Sequence, residues 1–561
     1  MSNAAMTNRG HIELLSTALL VASSASAADV LYDLHNQSLP TPFYGQHVGV
    51  ATSDLNGDGA ADLLFAAGRH WVDQSYALIN LGPQYDENGN FVGVRFSEAL
   101  HIGPPGSYYQ IDVVSPSSSN RSSIGLQVED DGLHQSTVLL VGGTCHFEEP
   151  NSFGSCKKGE NSPARILQVS MSKRTGCTIH SPDAPCHLEY TEIWEHPNPK
   201  GDRNGGFASF GNQQMIALLG QGGIELFQPQ SIQTDATSKD NSEGQTNFLG
   251  TSYSSAFHHI PPPKTDPRSD YSRYAGFASG KSPKLGGVVA AGRRSDYDAP
   301  QKDDDGNLIG INQLVYKDGG RQSFQSSTLP STVSGEPYPG NPEYSMQTTN
   351  YAFADINGDG IQDLLEATFL YKAQLVPGYP LPQRVHFMDE EGHVKDTLVI
   401  LEDGAREHNW KEDEDAGRSV TTGQIFSDSA LPDVVFASAE GVVTLFANLG
   451  VDNETGKFRG LEQRYQLSVG MRWGRIWEDL ICQVRDVAVT KLAAQQQETI
   501  SSSIGKCWIG IVCAVTCGID VLGKNHIFYV EGTGGVVCND ASDDTTTILT
   551  KGEVLVEKEV Q

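Results

Sequence analysis

Short, largely apolar runs separated by polar, glycine-containing stretches recur along most of the chain. Residues 48–51 and 63–67 form one pair of such runs, and residues 351–354 and 364–367 form another. Runs of this length bounded by Gly, Asn and Asp are typical of buried β-strands, whereas an amphipathic helix needs apolar residues three and four apart over roughly ten or more positions. The pattern therefore predicts an all-β chain.

The runs fall into groups, each with an inner strand, a polar loop, a second strand and outer strands. Seven groups can be counted, and they predict a seven-bladed β-propeller with loop insertions, because a closed ring of sheets leaves few strand edges exposed. The alternative is an open array of β-sandwiches, whose edges would stay unprotected. Two groups contain residues 54–62 and 355–363, and the other five lie near Gln110, Gly206, Gly276, Gly423 and Asp486.

Two further patterns concern the edges of the blades. Asn80-Leu-Gly and Asn448-Leu-Gly, each followed by a polar stretch, indicate one blade edge that occurs twice. The stretches 231–246 and 261–267 contain too few apolar residues to pack into a core. We therefore expect both stretches to project from the ring as inserted loops.

An oxygen-rich sequence occurs twice between strands. Asp54-Leu-Asn-Gly-Asp-Gly-Ala-Ala-Asp62 recurs as Asp355-Ile-Asn-Gly-Asp-Gly-Ile-Gln-Asp363. Side-chain oxygens at positions 1, 3, 5 and 9, with a main-chain carbonyl at position 7, suit Ca²⁺, which takes about 6 to 8 oxygen ligands. The predicted ligands of the two calcium sites are Asp54, Asn56, Asp58, Ala60 (carbonyl) and Asp62, and Asp355, Asn357, Asp359, Ile361 (carbonyl) and Asp363.

The loop sequence also carries a conformational and an electrostatic requirement. Gly59 and Gly360 can adopt the positive φ that a tight turn around an ion needs. Three aspartates in one loop repel one another, so we expect each loop to be strained without its cation.

An EF-hand and a simple acidic turn are the alternatives to this calcium loop. An EF-hand needs Glu at position 12 and a helix on each side. Glu366 satisfies the first condition in the second copy, but Phe65 stands there in the first, and the flanking runs indicate strands. A loop within a β-hairpin is therefore favoured.

These residues resemble the FG-GAP, or VCBS-type, repeats of integrin α-subunit heads and many secreted propellers. That repeat has an aromatic-Gly pair, a short strand, the same Asp-rich loop and an apolar strand ending in Gly-Ala-Pro. Here Tyr44-Gly45 takes the place of the aromatic-Gly pair, residues 66–68 replace Gly-Ala-Pro, and the second copy lacks the aromatic-Gly pair. The resemblance implies a propeller whose loops on one face recognise proteins or, in relatives with similar loops, glycans. A WD40 propeller is disfavoured because its Gly-His and Trp-Asp signatures are missing.

The N-terminus has the order of a secretory signal. Arg9 and His11 precede the apolar run 14–22, and Ala25-Ser26-Ala27 precede Ala28. We therefore predict a signal peptide at 1–27, a propeller over 28–540 and a C-terminal tail at 541–561. The predicted location is extracellular, where weak calcium sites fill; the alternative is a poorly ordered N-terminus on a cytosolic protein. In a eukaryotic host, glycosylation triplets would begin at Asn36, Asn120 and Asn453.

Charge and hydropathy limit the partners. Lys and Arg total 39 against 69 Asp and Glu, a formal net charge of −30, which repels nucleic acid and anionic lipid. No apolar run approaches the roughly 20 residues that span a bilayer. The best candidate, 507–519, is stopped by Asp520 and is predicted to be a buried strand.

Nine cysteines lie beyond the predicted signal. Cys145 with Cys156, and Cys177 with Cys186, would close short loops as local disulfides. The spacing of Cys482, Cys507, Cys513, Cys517 and Cys538 leaves their connectivity open, and it does not match a zinc site.

Catalytic motifs are scarce. The chain has no Gly-x-Ser-x-Gly, no phosphate-binding loop and no His-Glu-x-x-His. The isolated candidates are His258-His259, the acidic run 407–415 around Trp410, and Trp473 with Trp477, and each is more simply a surface or packing feature. We predict a non-catalytic binding or adhesion module for protein or glycan ligands. The alternative is a propeller-type polysaccharide lyase or glycoside hydrolase that uses loop carboxylates.

Overall fold

The structure is a computed structural model. It describes residues 33–35, 49–58, 60–66, 72–88, 91–114, 135–145, 156–157, 159–171, 188–197, 204–210, 213–220, 223–231, 251–260, 273–294, 313–317, 324–329, 337–338, 341–345, 347–369, 383–401, 417–423, 425–426, 429–438, 442–468, 482–494, 507–517, 525–531 and 548–550.

Regular structure in the described residues is entirely β. Strand β1 (Asp33–His35) precedes the first blade. Blade 1 pairs β2 (Gly49–Ser53), β3 (Asp62–Ala66), β4 (Tyr76–Leu78) and β7 (Leu100–His101), with the hairpin β5 (Asn80–Tyr85) and β6 (Phe91–Phe96) inserted. Blade 2 comprises β8 (Tyr108–Val114), β9 (Gln135–Gly142), β10 (Arg165–Met171) and β11 (Leu188–Glu195). Blade 3 comprises β12 (Asn204–Phe210), β13 (Gln213–Gly220), β14 (Gly223–Ser231) and β15 (Thr251–Ile260).

Blades 4 to 6 are also four-stranded sheets. Blade 4 comprises β16 (Arg273–Ser282), β17 (Gly286–Arg294), β18 (Gln313–Lys317) and β19 (Phe324–Thr328), followed by the hairpin β20 (Pro337–Tyr338) and β21 (Asn341–Ser345). Blade 5 comprises β22 (Gln347–Ala354), β23 (Asp363–Phe369), β24 (Gln383–Met388) and β25 (Val394–Leu401). Blade 6 comprises β26 (Gly417–Gly423), β27 (Asp433–Ser438), β28 (Val442–Asn448) and β29 (Leu461–Ser468).

A five-stranded sheet, here named the closing sheet, completes the ring. It contains β30 (Cys482–Ala494), β31 (Cys507–Cys517), β32 (Asn525–Glu531) and β33 (Ile548–Thr550), and β1 pairs with β33 at its edge. Strand β30 contacts the first strands of both blade 6 and blade 1. The chain therefore closes its ring by bringing N-terminal and C-terminal segments into one sheet.

The prediction of an all-β propeller is confirmed. In the described residues, six of the seven predicted strand groups form four-stranded blades, so there are six such blades and not the predicted seven. The seventh group, near Asp486, lies in the five-stranded closing sheet. Strand β33 lies within residues 541–561, which were expected to form a tail outside the propeller. The predicted signal peptide 1–27 and, apart from Ser231, the predicted insertions lie outside the described residues.

The apolar core lies between neighbouring blades. Val138 and Leu140 of β9 pack into the cluster shared with blade 1, whereas Leu139 and Val141 pack into the cluster shared with blade 3. Both faces of such a strand are buried, which explains why it has a continuous apolar run in the sequence.

The fold contains one of the predicted disulfides, and the most apolar run of the C-terminal half is a strand. The disulfide between Cys145 and Cys156 is present, as predicted, whereas Cys177 and Cys186 lie outside the described residues. Residues 507–517 form β31, in agreement with the predicted strand. In the described part of the chain, no helix is long and apolar enough to cross a membrane.

Candidate metal loops

The two oxygen-rich sequences occupy equivalent places in the ring. The first joins β2 to β3 in blade 1, and the second joins β22 to β23 in blade 5. Both are therefore the connection between the first and second strands of a blade, and they lie on the same face of the propeller. Because strands flank both loops, the EF-hand alternative is excluded.

The side chains at positions 1, 3 and 5 fold each loop onto its own main chain. In the second loop, Asp355 accepts hydrogen bonds from Gly358 N (2.7 Å) and Gly360 N (2.9 Å). Asn357 Oδ1 accepts from Asp359 N (2.9 Å), and Asp359 Oδ1 accepts from Ile361 N (2.8 Å). These are successive Asx-type turns, and Gly360 adopts the predicted positive φ of 84°.

The first loop repeats this arrangement. Asp54 Oδ1 accepts from Gly57 N (2.6 Å), and Asn56 Oδ1 accepts from Asp58 N (3.0 Å). Asp58 Oδ1 accepts from Ala60 N (2.7 Å). In both copies the aspartate at position 5 is exposed, and its other carboxylate oxygen accepts from the Asn side chain at position 3.

The aspartates at position 9 have a different environment, because both are fully buried. Asp62 Oδ2 accepts from Leu55 N (2.7 Å) and its Oδ1 from Asn80 N (2.7 Å). Asp363 likewise accepts from Ile356 N (3.0 Å) and Met388 N (3.1 Å). Each carboxyl thus joins its loop to the main chain at the end of the third strand (Met388) or just beyond it (Asn80), so we name these residues the framework aspartates.

Burial dominates the ionisation of the framework aspartates. Burial, opposed by the two N–H donors, raises the pKa of Asp62 to about 8, and the charges of Asp58 and Asp54 act in the same direction as burial. Burial likewise raises the pKa of Asp363 to about 7, with a further contribution from the charge of Asp359. The carboxyls of each loop therefore repel one another, as their spacing predicted.

Sequence reasoning missed a third framework aspartate. Asp433 in blade 6 is buried, and its Oδ2 accepts from Ile425 N (2.7 Å) and Phe426 N (2.6 Å). Its Oδ1 accepts from Asn448 N (2.8 Å). The signal in the sequence is an Asp that opens the apolar second strand, as in Asp62-Leu-Leu, Asp363-Leu-Leu and Asp433-Val-Val.

The two Asn-Leu-Gly sequences occupy the same structural position, as expected. Asn80 Nδ2 donates to Ala61 O (3.1 Å), and Asn448 Nδ2 donates to Pro432 O (3.0 Å), in each case the residue before a framework aspartate. Asn448 Nδ2 also donates to Ile356 O (2.9 Å) in the loop of blade 5. This asparagine therefore links two neighbouring blades.

The segment that follows Asn448 lies against blade 5. Val451 and Phe458 form a β-bridge, and the Phe458 ring meets Phe387 edge-to-face at 5.7 Å. A Cβ placed on Gly358 would lie 3.0 Å from Val451 Cγ2 and 3.2 Å from Leu431 Cδ1. From the other side, Lys281 N of blade 4 donates to Gln362 Oε1 (2.6 Å). The second loop is therefore held by both neighbouring blades.

Glu366 and the pair His258-His259 lie on strands, outside the two loops. Glu366, at position 12 of the second loop, is buried and bonded to His386 Nε2 at 2.9 Å inside blade 5. His258 and His259 lie on β15. The acidic run 407–415, Trp473 and Trp477 lie outside the described residues.

The chemistry and exposure of the oxygen atoms determine which residues could bind a cation. Positions 1, 3 and 5 offer surface carboxylate and amide oxygens, the ligand type that Ca²⁺ prefers. At position 9 the carboxyl is fully buried, and both of its oxygens accept main-chain hydrogen bonds. Within the described residues, no group of three or more His, Cys, Asp or Glu side chains is arranged to hold a metal ion.

No protein-family model matches the chain, and no curated protein matches it. The chain is similar to the BP39L lectin from Burkholderia pseudomallei, with 10% identity, a TM-score of 0.40, and coverage of 86% of this chain and 98% of the lectin. It is also similar to Chaetomium thermophilum Sqt1 bound to the N-terminus of the ribosomal protein L10, with 10% identity, a TM-score of 0.35, and coverage of 90% and 92%.

Proposed function

We propose that this protein is a secreted, calcium-stabilised propeller that acts as a non-catalytic binding module for an extracellular protein or glycan. One observation carries the proposal: two blades present the same loop on the same face of the ring. In both, oxygen-bearing side chains at the surface are held by hydrogen bonds to their own loop. Oxygen atoms held in place at a surface suit a hard cation.

The first cation would be held by Asp54, Asn56, Asp58 and the carbonyl of Ala60, and the second by the corresponding residues of the loop 355–363. Asp62 and Asp363 would contribute only through lone pairs that the main-chain N–H groups leave unused. When bound, calcium would neutralise the carboxylates and hold the loops in one conformation.

The choice of partner rests on charge and on resemblance. A formal charge of −30 disfavours nucleic acid and anionic lipid surfaces. The resemblance to FG-GAP repeats favours recognition by loops on one face of the ring, with a protein or a glycan as ligand.

The Cys145–Cys156 disulfide supports an oxidising compartment and hence secretion.

Thermal unfolding tests the calcium proposal. A ligand at about 100 times its dissociation constant stabilises the folded state by about 2.7 kcal/mol per site, so millimolar calcium should raise the melting temperature. Magnesium should substitute poorly, since it demands a tighter octahedral geometry. Identical melting curves in excess chelator and in calcium would reject the proposal.

Two assays test the function itself. A glycan array and a polysaccharide-degradation assay on one sample separate binding from catalysis: ligand retention without new reducing ends or unsaturated products supports a binding module. Turnover would support the lyase or hydrolase alternative.

For export, mass spectrometry of protein from its native host should find Ala28 at the N-terminus. An intact Met1 in a cytosolic fraction would contradict secretion.

A further inference from the structure

The closing sheet brings two cysteines opposite one another. Cys482 is the first residue of β30 and Cys517 is the last residue of β31, and the antiparallel register pairs them directly. They are 35 residues apart in the sequence, and their spacing alone gave no reason to choose them from five cysteines. The register of the sheet supplies that reason.

The backbone geometry of such a pair suits a disulfide. Residues directly opposite in an antiparallel pair lie on the same face of the sheet, with Cα atoms about 4.5 to 5.5 Å apart. A disulfide requires Cα atoms about 4.4 to 6.8 Å apart. Both residues also stand at strand ends, where small adjustments of the backbone disturb few ladder hydrogen bonds.

The other cysteines of this sheet have different neighbours in the register. Cys513 stands opposite Val487 on one side and Phe528 on the other, and Cys507 stands opposite Ala494. Among the described cysteines of the closing sheet, Cys482 and Cys517 are thus the one directly opposed pair.

We propose that Cys482 and Cys517 form a disulfide that staples the closing sheet. Strand β30 contacts both blade 6 and blade 1, and β1 joins the same sheet through β33, so the staple holds the place where the ring closes. The bond restrains the unfolded chain across the closed loop and thereby favours the closed ring.

The bond forms by thiol–disulfide exchange with a disulfide-bearing oxidant, such as oxidised glutathione. One cysteine thiolate attacks the oxidant and forms a mixed disulfide, with release of one reduced thiol. The second cysteine thiolate then attacks the protein sulfur of that mixed disulfide and releases the second thiol. Two protein thiols are oxidised, the oxidant's disulfide is reduced, and the two protons leave with its thiols.

Peptide mapping under non-reducing conditions tests the proposal. The full chain is incubated with oxidised glutathione until the Cys145–Cys156 link is complete, remaining thiols are blocked with N-ethylmaleimide, and the protein is digested. The expected result is a cross-linked peptide pair containing Cys482 and Cys517 that disappears on reduction. Maleimide on both residues, or a link from either one to another cysteine, would overturn the proposal.

Matched variants keep the test decisive. Cys482→Ser should make Cys517 reactive to maleimide, and Cys517→Ser should do the same for Cys482. Cys513→Ser, which alters the same strand without a cysteine opposite, should leave the Cys482–Cys517 peptide pair unchanged. Loss of that pair in Cys513→Ser would also contradict the assignment.

Discussion

The loops of blades 5 and 6 have a similar framework but different surfaces. Both have a buried aspartate that accepts hydrogen bonds from its own loop and from the end of the third strand. Only the loop 355–363 also has Asp, Asn and Asp at positions 1, 3 and 5. The buried aspartate therefore serves the fold in both blades, whereas the three outer residues are absent from the loop of blade 6 and are the proposed cation ligands of blade 5.

The largest expected effect concerns the buried aspartate. Asp433→Ala and Asp363→Ala should each lower the free energy of unfolding by about 3 to 5 kcal/mol, because the change leaves buried N–H groups without an acceptor. Denaturant unfolding in chelator measures both. A cost below about 1 kcal/mol for Asp433→Ala would show that blade 6 does not depend on its framework aspartate.

The outer residues should matter only when calcium is present. Asp359→Ala should remove one of two calcium-binding events in calorimetry and about 2.7 kcal/mol of stabilisation at 100 times the dissociation constant. In chelator, the same exposed substitution should change stability by about 0.5 kcal/mol or less.

The control for that titration is Asp428→Ala. Asp428 lies outside the described residues, in a loop that lacks the Asn-Gly-Asp-Gly sequence. We expect this variant to retain both binding events. Loss of an event in Asp428→Ala would instead reveal a third metal loop in blade 6.

The hydrogen bond that links blade 6 to the loop 355–363 of blade 5 can be removed by substitution of Asn448. Asn448→Ala removes the donors to Ile356 O and Pro432 O and the acceptor for Gly450 N, and should cost about 2 kcal/mol. Asn80→Ala is the matched change in blade 1. Calcium affinity of the second loop should fall in Asn448→Ala, and an unchanged affinity would show that blade 6 does not support that loop.

The smallest expected effect is the difference in stability between substitutions at two glycines of one loop. Gly358 and Gly360 both have positive φ, 78° and 84°, so each change to Ala should cost about 1 kcal/mol. A Cβ at Gly358 would also crowd Val451 and Leu431, whereas nothing lies within 4 Å of one at Gly360. Gly358→Ala should therefore lower the melting temperature more than Gly360→Ala does. An equal decrease for the two variants would indicate that blade 6 does not pack closely against Gly358.

Local pattern was sufficient for much of the fold. The apolar runs predicted the paired strands, the Asp-rich repeats marked equivalent hairpins, and the Asn-Leu-Gly sequences marked one structural position. The 11-residue separation of Cys145 and Cys156 was also enough to predict their disulfide. Each of these features depends on residues close together in the chain, where backbone stereochemistry and side-chain period operate directly.

The amino-acid sequence by itself determined the strands, the repeated loops and the acidic charge of this protein. Only the tertiary structure decided that Asp433 is a framework residue, that Asn448 joins blade 6 to blade 5, and that Cys482 stands opposite Cys517. The physical reason is that burial, inter-blade hydrogen bonds and strand register arise between segments distant in sequence. They exist only once the ring has closed and placed those segments side by side.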